Sequence, residues 1–157
     1  MKTIVAISII ISALLFSCKS GDSLTKQEQI DQITEKIESQ NYKFVPRTAM
    51  PMSGRTINLS YSYSLDVSKD TISSYLPYFG RAYSAPLPMD EGGVKFVATN
   101  FEYTISEKKK GEWDVKINVK ENNRLYDLSL IIGDSGNATL TVNEQNRQSI
   151  SFFGKIE

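Results

Sequence analysis

The chain has 157 residues, with 18 basic and 18 acidic side chains, one cysteine and no histidine. A formal net charge of zero offers no basic field for phosphate backbones, so nucleic-acid binding is excluded as a class. Without histidine the chain lacks the commonest general base and metal ligand, and a single thiol permits neither an internal disulfide nor a Cys/His zinc centre. Any catalysis would need carboxylates, Ser with Lys, or Tyr.

Lys2 opens the chain, and an apolar run interrupted only by serines follows over 4–16. It is too short for a spanning helix, which needs about twenty apolar residues, and it fits the hydrophobic region of a secretory signal. The run closes as Leu15-Phe16-Ser17-Cys18, which resembles the lipobox of bacterial lipoproteins. That resemblance implies cleavage before Cys18, a diacylglycerol thioether on its sulfur and an N-acyl chain on its amine. Such a double anchor holds firmly, because each buried methylene contributes about 0.8 kcal/mol. Residues 1–17 are then a signal peptide, 18–24 a polar tether and 25–157 a single domain. The tether, Lys19-Ser20-Gly21-Asp22-Ser23, carries no acidic cluster of the kind that sends some lipoproteins to the cell surface. The expected address is the outer membrane, facing the periplasm.

Thr25 with Glu28 forms a capping-box start, and Ile30, Ile33 and Ile37 follow at helical spacing. A helix over 25–40 is predicted, stopped at Asn41 and lying across a sheet. A first strand is predicted over 42–45, ahead of Pro46 and a bend at 50–54. Over 57–67, Ile57, Leu59, Tyr61, Tyr63, Leu65 and Val67 alternate with Asn58, Ser60, Ser62, Ser64 and Asp66. This period of two predicts one long central strand with its odd-numbered side chains in the core. Asp70 is read as capping a short helical turn over 71–76, ended by Pro77.

Strands then recur over 94–98, 100–106, 112–120, 125–132, 138–142 and 148–156. Their predicted inward sets are Phe101, Tyr103 and Ile105; Trp113, Val115, Ile117 and Val119; Tyr126, Leu128, Leu130 and Ile132; Ala138, Leu140 and Val142; and Ile150, Phe152 and Ile156. Asn122-Asn123 and the 133–136 segment are the turns between them. The basic run Lys108-Lys109-Lys110 reads as a solvated hairpin tip. The fold class is α+β and β-rich: an N-terminal helix packed on a curled antiparallel meander of about seven or eight strands, partly closed toward a barrel.

Several motifs together resemble a known family. They are Tyr-Leu-Pro-Tyr-Phe-Gly-Arg-Ala-Tyr at 75–83 and Asn146-Arg147-Gln148-Ser149-Ile150-Ser151-Phe152 followed by Gly154. Asn41-Tyr42-x-Phe44 and Met50-Pro51-Met52-x-Gly54-Arg55-x-Ile57-Asn58-Leu59 fit the same template. The chain is similar along nearly all of its mature length to the bacterial domain of unknown function 4251, a lipoprotein-borne domain. The resemblance implies one envelope domain, and it brings no activity or catalytic residues with it.

The candidate binding residues are Tyr75, Tyr78, Arg81 and Tyr83. Phenols give apolar faces with polar tips, and a guanidinium can clamp a carboxylate or phosphate. Leu76 and Phe79 are expected to hold this segment on the core. The alternative is that the aromatics plug an open end of the sheet while Arg81 ties down loop carbonyls. Asp90 and Glu91 lack EF-hand spacing. Ser23-x-x-Lys26 and Ser106-x-x-Lys109 lack the companion motifs of penicillin-binding enzymes. Glu102, Glu112 and Asp114 fall on the polar faces of strands. Ser23 and Thr71 sit in Asp-Ser/Thr-apolar tripeptides that resemble bacterial O-glycosylation sites, and Asn137 begins an N-glycan sequon. No metal and no cofactor beyond the Cys18 lipid is expected. The leading function is a non-catalytic binding or scaffolding module in the periplasm. Its partners are the membrane through the anchor and an envelope protein or amphiphilic ligand. A carrier of an amphiphilic small molecule inside a half-closed barrel comes second, and an enzyme without His or Cys third.

Overall fold

The computed structural model describes residues 25–60, 62–83, 92–121 and 123–157. Helix α1 (Lys26–Glu38) starts from Thr25 through the predicted capping box. The Thr25 N–H donates to Glu28 Oε2 at 2.7 Å, and the Glu28 N–H donates to Thr25 Oγ1 at 3.3 Å. The Thr25 N–H, and the Thr25 hydroxyl that also donates to Glu28 Oε2, hold the Glu28 carboxyl below its usual pKa. The helix ends at Glu38, two residues before the predicted end at 40. Gln40, not Asn41, takes the left-handed conformation at φ 51°, and the Asn41 N–H returns to the Lys36 carbonyl at 3.1 Å.

Among the described residues ten strands form one antiparallel sheet: β1 (Tyr42–Pro51), β2 (Ile57–Asn58), β3 (Ser64–Val67), β4 (Ile72–Pro77), β5 (Gly93–Ala98), β6 (Phe101–Lys109), β7 (Glu112–Glu121), β8 (Arg124–Gly133), β9 (Asn137–Glu144) and β10 (Arg147–Ile156). Their order is β5-β4-β3-β1-β10-β9-β8-β7-β6, with β2 pairing only β1. The two edge strands, β5 and β6, are neighbours in the chain. The sheet curls so that Phe96 on β5 meets Tyr126 on β8, ring centroids 4.6 Å apart. The result is a half-barrel with a helix, as the residue pattern predicted.

Two predicted elements are corrected. The 57–67 strand is not continuous. Between the pairs Phe44–Leu65 and Thr48–Asn58, β1 spans residues 45–47 while the returning chain spans 59–64. Three extra residues must loop out, so β2 and β3 are separate visits to one edge. Pro46 sits at that gap. Lys43 exchanges both of its backbone hydrogen bonds with Glu157, so by alternation the missing N–H of Pro46 falls on the β3 edge. Leu65 and Val67 are buried as expected, whereas Leu59 and Tyr63 are only half-buried. Tyr61 lies outside the described residues.

The 71–76 segment is extended, not helical. Ile72, Ser74 and Leu76 point inward, and the buried Ser74 hydroxyl donates to the Val94 carbonyl at 2.8 Å. The turn before it is closed by Ser68, whose Oγ accepts from the Thr71 N–H at 3.1 Å, rather than by Asp70. These two corrections raise the strand total to ten. In addition, β1 runs past Pro46 to Pro51, and β6 continues to Lys109 with Ile105 40% exposed instead of inward.

The alternation predicted for β7 to β10 holds. Trp113, Val115, Ile117, Val119, Leu128, Leu130, Ile132, Leu140 and Phe152 all lie in one core with Phe44 and Leu65. Gly154 pairs with Pro46, and an added Cβ there would lie 2.7 Å from Pro46 Cα, so only glycine lets β10 approach the proline.

Helix α1 meets the sheet at one end. An added Cβ on Gly111 would lie 3.6 Å from Ile30 Cδ1, and one on Gly136 3.0 Å from Ile33 Cδ1. Gly136, at φ 78°, thus provides both the turn and the room for the helix. Lys26 pairs with Asp134 at 3.2 Å in the same turn. At the C-terminal end of the helix, the Tyr103 hydroxyl donates to the Ile37 carbonyl at 3.1 Å and lies 3.1 Å from the Tyr42 hydroxyl. Burial pushes the Tyr103 phenol up to about 12 and that of Tyr42 well above its usual value. A raised phenol pKa means that the folded chain holds the proton more tightly than the unfolded one. Its stabilisation is complete below pH 10 and is lost as pH rises toward about 12. The melting temperature is therefore expected to fall more steeply over that window in the natural chain than in Tyr103→Phe. Parallel melting curves for the two proteins would show that helix docking is not linked to this phenol.

Candidate functional site

The aromatic segment does not form one surface. Tyr75 is on the outer face of β4, 46% exposed, stacked on Tyr63 at 5.7 Å with Lys95 Nζ 4.8 Å from its ring. The 78–83 stretch instead lies along the β9–β10 hairpin. The Tyr83 N–H donates to the Asn146 carbonyl at 2.9 Å, and the Gln148 N–H to the Arg81 carbonyl at 3.1 Å. The Tyr78 hydroxyl is shared between the carbonyls of Gln148 at 2.9 Å and Arg81 at 3.0 Å. Burial raises its pKa. Tyr78 is thus a clamp rather than a rim residue. Arg81 and Tyr83 are exposed. Leu76 is fully buried as predicted, but Phe79 is 42% exposed and does not hold the segment on the core. Phe79 and Arg81 instead flank a shallow groove with Met52 and Gln148.

The guanidinium that does tie this region down is Arg147. It is 9% exposed, and its Nη1 donates to the Gly93 carbonyl at 3.0 Å. Its guanidinium carbon lies 5.1 Å from the Tyr78 ring centroid. Its Nε lies 3.5 Å from Glu144 Oε2, and Arg124 Nη1 lies 3.7 Å from Glu144 Oε1. The Glu144 side chain is only 5% exposed. Tyr126 joins this cluster: burial raises its phenol pKa, and a hydrogen bond with Arg124 partly opposes that. The sequence reading missed the cluster. A signal was present, because Arg124 and Tyr126 share the inward parity of Leu128, and Glu144 shares that of Val142.

Beside the cluster, a cleft of about 670 Å³ opens across the ends of β6, β7, β8 and β9. Leu125 gives it an exposed apolar wall, Phe101, Val119 and Tyr126 turn toward the core beneath it, and amides, carboxylates and Lys120 supply the rest. Among the described residues no group of three or more Asp, Glu, His or Cys side chains gathers as a metal site. Lys108, Lys109 and Gly111 mark a hairpin tip, with Lys109 paired to Glu112 at 3.0 Å and Lys108 to Asp114 at 3.4 Å. Thr71 is half-buried in the β3–β4 turn, and Asn137 is exposed with its amide on Ser135. Cys18, Ser23, Asp90 and Glu91 lie outside the described residues.

Among the described residues, fold and cleft together define an antiparallel half-barrel, backed by helix α1, with an open site at the strand ends away from the helix start. The family model for the domain of unknown function DUF4251 matches residues 24–156, and the chain belongs to that family. A crystal structure of a DUF4251 family protein from Bacteroides eggerthii is similar at TM-score 0.61 and 15% identity, covering 82% of this chain and 86% of that one. That likeness shows the shared fold. No curated protein matches the chain.

Proposed function

We propose that the chain is a lipid-anchored, non-catalytic binding module of the cell envelope, and that the 670 Å³ cleft, not the aromatic segment, is its binding site. The observation that carries this reading is polarity. The helix start, where the tether joins, lies at the hairpin tips containing Gly111 and Gly136. The cleft lies at the opposite ends of the same strands. Strands of eight to ten residues span roughly 30 Å, and the seven tether residues 18–24 reach at most about 25 Å. An anchor on Cys18 would therefore keep the helix end near the bilayer and turn the cleft away from it, into the periplasm for an outer-membrane protein. A carrier would need an emptied half-barrel. Phe44, Leu65, Leu128 and Phe152, all fully buried, fill that interior, which favours the surface cleft.

Two measurements test this reading. Cys18→Ser should shift the protein from the membrane to the soluble fraction, or leave its signal uncleaved. Processed protein that stays with membranes would remove the anchor. A photo-crosslinking amino acid at position 118 or 143, on the cleft rim, should capture an envelope component in cells, while the same probe at Ser106 near the lysine tip should not. Equal capture from both ends would remove the cleft as the site.

A further inference from the structure

We infer that the cleft takes an uncharged, polyhydroxylated ligand, a neutral oligosaccharide, and this rests on the reading of the cleft as the binding site. The lining is rich in primary amides: Asn100, Asn118, Asn143 and Gln145, all exposed, face the same space. Each amide carries two N–H donors and a carbonyl acceptor. A sugar hydroxyl is likewise both donor and acceptor, so amides match it whichever way it turns. Leu125, 52% exposed and opposite Lys120 on the same outer face, adds apolar surface against which the C–H face of a sugar ring can pack.

Charge favours none of the ionic competitors. Glu144 lies between Arg124 and Arg147, so the charged groups in and beside the lining are Glu102, Asp127 and Glu144 against Lys120, Arg124 and Arg147. Three acids and three bases sum to zero, so no net field draws in phosphate, sulfate or carboxylate groups or a cationic peptide, and a neutral ligand is the match. The volume falls within the range of small-ligand sites, and the cleft is open along one side, so a sugar within a longer glycan chain can enter.

The test uses the full-length lipoprotein in nanodiscs, titrated with neutral gluco-, manno- and N-acetylglucosamine oligosaccharides, with heparin fragments and with a lysine-rich peptide. Neutral oligosaccharides should bind. The double variant Asn118→Ala/Asn143→Ala should weaken that binding about tenfold, the loss expected for two neutral hydrogen bonds. Because both amides are exposed, its melting temperature should match that of the natural chain. Binding confined to heparin or to the peptide would overturn the inference, as would sugar binding that the double variant leaves intact. If no oligosaccharide binds while crosslinks still form from the cleft rim, the sugar class is wrong and the cleft reading survives. If both are absent, the cleft reading falls with it.

Discussion

Phe152→Ala should lower stability by about 3–5 kcal/mol, the range for truncating a buried phenylalanine. Phe152 is fully buried and pairs with Ala49 on β1 and Leu140 on β9. Its strand, β10, is the middle one of the sheet path and joins the β6–β9 meander to the β1–β3–β4–β5 half. A cavity there loosens both halves at once. The neighbouring Phe153 faces the other way and is 44% exposed, and Phe79 is 42% exposed. Phe153→Ala and Phe79→Ala should each cost within about 1 kcal/mol. Urea denaturation of the three variants separates these expectations. A cost for Phe153→Ala equal to that for Phe152→Ala would place β10 one residue out of register.

Those two phenylalanines show what the residue pattern could and could not reveal. The inward parity of Phe152 was legible because β6 to β10 are hairpin neighbours, each strand meeting the next across a short turn. A period of two then fixes the buried face locally. The capping box of α1 was legible for the same reason, since both partners lie within one turn. The gap between β2 and β3 was not. Its cause is Pro46 on another strand, so the alternation from Ile57 to Val67 gave no warning of three looped-out residues. The β4 strand was hidden by Ser74, an inward polar residue satisfied by the Val94 carbonyl far along the chain. Phe79 was misplaced because the chain leaves the sheet after Pro77 and is held by backbone bonds to Gln148, which free its side chain from core packing. The cleft draws on the ends of four strands, and their convergence is set by sheet curl, which no local pattern encodes.

Arg147→Ala should cost about 3–5 kcal/mol, whereas Arg81→Ala should stay within about 0.5 kcal/mol. Both residues flank the aromatic segment, and a guanidinium clamp was expected at 81. The exposed Arg81 is held through its backbone, by Gln148 and the Tyr78 hydroxyl, and alanine keeps all of those bonds. Arg147 acts through its side chain. Its loss strips the Gly93 carbonyl of a donor and removes one of the two guanidiniums beside a carboxylate that is 5% exposed. It also uncovers the Tyr78 ring that anchors the 78–83 stretch. Lysine should rescue little, because a point charge cannot reach the Gly93 carbonyl and the Glu144 carboxylate with the planar geometry of a guanidinium. Arg147→Met with Glu144→Gln should recover part of the loss, since no buried carboxylate is then short of a guanidinium, and the half-buried Arg124 keeps a neutral amide beside it. Chemical denaturation of the single and double variants supplies the comparison. If Arg81→Ala proves as costly as Arg147→Ala, the clamp belongs to the exposed arginine. If Arg147→Met alone is as stable as the double variant, Glu144 does not depend on Arg147 for its charge.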